Sequence, residues 1–360
     1  MTTTTLARPA TRTAVLYRPG SAVFWVFVIA LAAGAFALLN QEGSAIHETL
    51  DANLALAPFW VAFVAFMVWL LLRFDPFRAM RPYPQVLVAG AVLGATVAVP
   101  MAITGNTSLE ALWGLVFSPE VVANWGPSLC APIIEEASKL MCALVLLVLC
   151  ASVVTRIAHA LLIGMFVGLG FDLMEDLGYA SSSAILSLDS DLSGAGTSLL
   201  VRAFTAVPAH WSYTSLTAVG ALLLLPSFAG RRDWPAARRI PVAVGLLLAG
   251  PLMHFVWDAP LPDDYDGPLT LVKLVGSLVF YLVIVFALLP VERRWVTARI
   301  ADGRDSGWLS DVSADVLDSL PTRRQRRALR KAARKSGGRK TAKAVATQQD
   351  AALDLIQTAS

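Results

Sequence analysis

Charge is scarce in this 360-residue chain: 15% of its residues are Asp, Glu, Lys or Arg, against roughly 25% in an ordinary soluble domain. With 56% hydrophobic residues and a mean hydropathy of +0.62, the composition excludes a soluble globular protein. Cysteine is also rare. Cys130, Cys142 and Cys150 fall on or beside one apolar run, and neither their number nor their spacing makes a disulfide framework or a zinc ribbon. No internal repeat is evident, and the H-E-x-x-H signature of the common zinc proteases is missing.

What remains is apolar runs. Stretches of about 20 residues are long enough to span a bilayer, and such runs lie near 21–39, 53–72, 84–104, 127–151, 157–178, 198–226, 240–259 and 268–290. The chain therefore reads as all-α, a polytopic membrane bundle of about eight helices. Three parts follow: a cytoplasmic N-terminal segment (1–20), a membrane domain (21–290), and a basic cytoplasmic tail (291–360), expected to be partly disordered. The first run is longer than a signal-peptide core and no clear A-x-A site follows, so it reads as an uncleaved anchor.

A second scarcity fixes the orientation. The loops 40–52, 105–126, 179–197 and 260–267 contain no Lys or Arg, but they hold Glu42, Glu48, Asp51, Glu110, Glu120, Asp189, Asp191, Asp263, Asp264 and Asp266. The alternate segments carry Arg8, Arg12 and Arg18; Arg73, Arg78 and Arg81; Arg156; Arg231, Arg232, Arg238 and Arg239; and Arg293 and Arg294. By the positive-inside rule both termini are cytoplasmic in a multi-pass plasma-membrane protein. The tail from Val291 has 15 Lys/Arg against 8 Asp/Glu and the preceding body 14 against 18, so the net +3 is +7 minus 4. The run PTRRQRRALRKAARKSGGRK suits an anionic inner leaflet; no nucleic-acid partner is expected.

An ionisable side chain at mid-bilayer costs about 2.5–3.5 kcal/mol even on a lenient scale. Spans four to seven nevertheless contain Glu135, Glu136, Lys139, Asp172, Glu175, Asp176, Arg202, His210, His254 and Asp258. Unpaired, such a set would cost on the order of 20 kcal/mol or more, so its members must face one another or water. Their spacing agrees. Glu135 and Lys139, Phe171 and Glu175, His210 and Thr214, and His254 and Asp258 are each four apart and share a helix face. At about 1.5 Å per residue the cluster lies in the outer half of the membrane. Carboxylates and histidines beside a lysine suit water activation by a general base, and Glu and His are also zinc ligands. Buried Asp, Glu and His also mark proton relays, which leaves a proton- or ion-coupled transporter as an alternative.

EEASK (Glu135–Lys139), FDLMED (Phe171–Asp176), RAFTAVPAHWSYT (Arg202–Thr214) and HFVWD (His254–Asp258) together resemble the PrsW family of intramembrane proteases. That family is related to the CAAX prenyl proteases and to Abi immunity proteins, and a non-catalytic Abi-like scaffold is a further alternative. Lys139 and Glu175 fit the PrsW pattern better than the sister branch. The resemblance spans about residues 85–290. It implies an endopeptidase that cuts a membrane-tethered protein, such as an anti-sigma factor, near the extracytoplasmic side. It further implies that Glu135 or Glu136 is the base, that Glu175, His210 and His254 position water and stabilise the oxyanion, and that Asp258 orients His254. Lys139, Phe171, Asp172, Asp176 and Arg202 would support them. A metal, possibly Zn2+, would be held by Glu136, Glu175, His210 and His254.

Overall fold

A computed structural model describes residues 15–262 and 266–358, so most of the expected N-terminal segment lies outside the described residues. All regular structure in them is helical. The helices are α1 (Ala22–Glu48), α2 (Leu50–Leu71), α3 (Pro84–Leu93), α4 (Val99–Trp113), α5 (Pro119–Leu149), α6 (Ile157–Leu186), α7 (Asp191–Thr205), α8 (His210–Leu224), α9 (Ala236–Asp258), α10 (Asp266–Asp305), α11 (Ala314–Ser319) and α12 (Arg323–Thr358). A π-helical turn, Gly94–Ala98, joins α3 to α4, so the two run as one long rod.

Among the described residues, six helices are long and apolar enough to cross a membrane: α1, α2, the α3–α4 rod, α6, α9 and α10. The fourth and sixth expected spans are not among them. α5 has the length, at 31 residues, but carries Glu135, Glu136 and Lys139. The sixth is not a single helix at all. Where one run over 198–226 was expected, helix stops at Thr205 and restarts at His210. Each piece has 15 residues, about 22 Å of rise, which is too short to cross alone. Non-helical backbone at membrane depth is tolerated only where protein or water satisfies it, and here the protein does. The Trp211 indole donates to Ala206 O at 2.8 Å, and Asp172 accepts the backbone N–H groups of His210 and Trp211 at 3.3 and 3.2 Å.

The chain divides into two compact units. In the larger, residues 14–72 and 85–283, α6 and α8 form the core. Every residue from Arg156 to Asp172 and from His210 to Leu223 is buried. Their backbones meet directly at Gly168, where a Cβ would stand 2.5 Å from His210 O and Trp211 Cα. α1 and α2 are mostly exposed and apolar, as lipid-facing helices are. At one end a small polar knot ties α2 to α6: Thr49 Oγ1 donates to Ser181 Oγ at 3.0 Å and Asn53 Nδ2 at 3.2 Å.

The smaller unit joins residues 73–84 to residues 284–360, and its described part is helical around a core of its own. Phe77, Val296, Ile300, Leu317, Leu320 and Leu353 are buried in one apolar cluster. α12 is two helices folded at Gly338, whose φ of 77° suits glycine. Gln349, fully buried, donates to Ser319 Oγ at 2.8 Å and accepts from Arg330 Nε at 2.6 Å. Arg78 Nε and Nη2 grip both oxygens of Asp354 at 2.6 and 2.8 Å. Buried Arg326 donates to Leu320 O and Pro76 O and lies over the Phe77 ring. Burial pushes its guanidinium down to about 10, so it stays charged at neutral pH. The composition hid this core because its apolar residues are thinly spread among basic ones.

Candidate active site

Five helices bring the ionisable residues together. α5 contributes Glu135, Glu136 and Lys139; α6 contributes Phe171, Asp172, Glu175 and Asp176; α7 contributes Arg202, α8 His210, and α9 His254 and Asp258. Prolines precede two of these groups by three residues, Pro132 before Glu135 and Pro251 before His254. A proline inside a helix removes one backbone rung and loosens the turn before it.

Lys139 is wholly buried and stands at the centre. Its Nζ is 2.7 Å from Glu136 Oε1, 3.5 Å from Glu135 Oε2 and 2.6 Å from His210 Nδ1. It also lies 4.1 Å from the centroid of the Phe171 ring, a cation–π contact. The His210 ring is wedged edge-on against Phe171 and Tyr213. Its Nε2 reaches Glu175 Oε2 at 3.2 Å. Taken with Lys139 donating to Nδ1, this makes Nε2 the protonated nitrogen.

The two glutamates differ. Both oxygens of Glu136 are engaged: Oε1 by Lys139 and by His254 Nδ1 at 3.1 Å, and Oε2 by Thr214 Oγ1 at 3.3 Å. Glu135 Oε1 accepts from Asn106 Nδ2 at 2.9 Å. Glu135 Oε2 is buried and, among the described residues, accepts no hydrogen bond. It faces His254 Nε2 at 3.8 Å and His210 Nδ1 at 3.9 Å. Asp258 Oδ2, 3.1 Å from His254 Nε2, is a second buried oxygen that accepts none. Two unsatisfied acceptors around one imidazole nitrogen mark where water or a cation would be held.

A second layer lies toward the far end of α6. Arg202 bridges Glu175 and Asp176 and rests 4.7 Å from the centroid of the Tyr179 ring. Asp172 is buried, and it caps the N-terminus of α8. From Arg202 a groove of about 500 Å³ runs between α6 and α7, lined by Tyr179, Ser183, Ser187, Ser193, Thr197 and Ser198.

Every site residue expected from the sequence lies in or against this cluster, but the grouping differs in one respect. Among the described residues, the three ligand-type residues whose donor atoms fall within 4.8 Å of one another are Glu135, His210 and His254. Glu136 and Glu175 instead hold the other ring nitrogens of the two histidines. Donor type and spacing fit a metal ion: two imidazoles and a carboxylate, with each imidazole oriented by a further carboxylate. Sequence reasoning missed Asn106 and Tyr213. Asn106 belongs to the third span, which runs to Trp113 rather than stopping at 104. Lys273 is half-buried. It caps the end of α9, donating to Trp257 O at 3.0 Å and to Ala259 O, beside Asp258.

Neither the comparison with curated proteins nor that with solved structures gives a match. A family model described as the PrsW family intramembrane metalloprotease matches residues 82–289. That is more than half of the chain, it includes every residue of the cluster, and the chain accordingly belongs to this family of intramembrane proteases.

Proposed function

We propose that the protein hydrolyses a peptide bond in a membrane-tethered protein close to the extracytoplasmic face, with Glu135 as the base that activates water. The observation that carries this reading is the contrast between the glutamates: Glu136 has no free acceptor, whereas Glu135 Oε2 is buried, accepts no hydrogen bond and faces both histidines. Glu135 takes a proton from water, and the hydroxide adds to the scissile carbonyl. The oxyanion accepts from Nε2–H of His254 held as the imidazolium, whose Nδ1–H donates to Glu136, and Glu135 returns the proton to the departing amine as the C–N bond breaks. Lys139 compensates the adjacent charges, and Glu136 and Glu175 orient the histidines through His254 Nδ1 and His210 Nε2. A divalent ion such as Zn2+, if held by Glu135, His210 and His254, would supply Lewis-acid polarisation and would take the place of Glu135 Oε2 as free base. The substrate class is a protein held beside the bilayer by its own span, an anti-sigma factor being one such protein.

Orientation rests on charge. The loops at the groove end carry acidic residues and no Lys or Arg, so both termini are assigned to the cytoplasm and the groove to the outside. The basic tail is assigned to the anionic inner leaflet. Arg324, Arg327, Lys331, Arg334 and Lys335 are exposed, and they fall within about 100° of one another around the helix. Buried Arg326 lies on the other side. No aromatic residue follows Trp308 to stack on bases.

The test compares newly formed N-termini of membrane proteins in cells that express the wild-type protein or Glu135→Gln. A tethered protein cut only by the wild type supports the assignment. Identical termini in both sink it.

A further inference from the structure

The buried ammonium of Lys139 touches an atom that a metal ion would need. Its Nζ is 2.6 Å from His210 Nδ1, the ring nitrogen that faces Glu135 Oε2 at 3.9 Å and belongs with the Glu135, His210 and His254 group. It is also 3.5 Å from Glu135 Oε2, so it sits against two of the three donors. The other His210 nitrogen is turned toward Glu175, and the ring is held between Phe171 and Tyr213. His210 therefore has one lone pair to offer, and Lys139 already uses it. We propose that Lys139 is an internal cation that competes with a divalent ion for one place: contact of Lys139 with His210 and ligation of a metal by His210 exclude each other.

Two effects make the competition strong. A nitrogen lone pair accepts either one hydrogen bond or one metal. A dication placed next to a buried ammonium, without bulk water between them, is also repelled far more than at a surface. Conversely, removal of Lys139 leaves Glu135 and Glu136 adjacent and uncompensated on one helix, and a dication then supplies the missing charge. Metal affinity in this chain is thus set by a residue that is not itself a ligand.

The experiment titrates Co2+ into the full-length protein in lipid nanodiscs, reading the visible absorption of the bound ion and the shift in Tm. Binding is measured without cleavage, so the result is independent of any substrate. Lys139→Met is expected to bind one Co2+ at least tenfold more tightly than the wild type and to gain a Co2+-dependent rise in Tm. Adding His210→Gln to that variant should remove both. Lys139→Gln serves as a second neutral variant should the methionine fail to fold, and Lys139→Arg, which retains the charge, should bind as weakly as the wild type. Equal affinity in the wild type and the neutral variants, tight or absent, would overturn the proposal. So would tightening that survives loss of His210.

Discussion

Glu135 and Glu136 are neighbours in sequence, and their surroundings separate them. One has a buried oxygen that accepts no hydrogen bond, and the other is saturated by Lys139, His254 and Thr214. Glu135→Gln should lower turnover by about 10²–10⁴, the range for loss of a general base, with little change in Tm. Glu136→Gln should lower Tm as well, because it breaks a buried ion pair. Differential scanning of both variants beside a cleavage assay checks this contrast. Asp172 makes a different prediction. It accepts two N–H groups at the head of α8, and loss of such a cap costs about 1–2 kcal/mol. Asp172→Ala should therefore lose roughly tenfold in activity through misplacement of His210, and Asp172→Asn, which keeps an acceptor, should recover much of it. At this scale the sequence was most legible where residues are ionisable, since a charge in an apolar run demands a partner. Asn106 and Tyr213 are uncharged, and nothing in their local pattern sets them apart from ordinary helix residues.

Among the elements, the broken sixth span is the feature that hydropathy concealed. Residues 198–226 read as one apolar run, yet the break at 206–209 lets His210 begin a helix and places it under the Asp172 carboxylate. The pairing of helices was legible only in part. Conserving a helix face at four-residue spacing brought Glu135 with Lys139 and His254 with Asp258, but the backbone contact of α6 with α8 depends on glycines whose partners lie far along the chain. Gly168→Ala puts a Cβ 2.5 Å from His210 O. It should destabilise the bundle by about 1–3 kcal/mol, the usual cost of overpacking, and should depress activity more than a lipid-facing glycine exchange of equal Tm. Urea or thermal unfolding in nanodiscs, paired with cleavage rates, measures both.

For the whole molecule, the prediction concerns the tail. Its core was not legible because the basic residues dominate the composition, and only the fold shows which of them face inward. Arg78→Met removes a two-point grip on Asp354 and should destabilise the smaller unit by about 1–2 kcal/mol, seen as faster limited proteolysis within α12. Replacing the exposed set, Arg324, Arg327, Lys331, Arg334 and Lys335, by Gln should leave that stability unchanged. It should abolish the protection from trypsin at Arg339 and Lys340 that anionic nanodiscs give and neutral ones do not. Equal protection in both lipids would remove the leaflet assignment.

The glycine contact between α6 and α8 has a mechanical consequence. Backbone resting on backbone has no rotamer to change, so that joint cannot yield by small side-chain adjustments. It keeps its distance or it separates. The wall bearing Glu175 and His210 is therefore the stiff part of the machine. Compliance is left to the sparsely buried helices, α1 with Gly34 alone and α2 with Ala52, Met67 and Leu71, so yielding of the bundle falls on its lipid-facing side while the frame of α6 and α8 stays rigid.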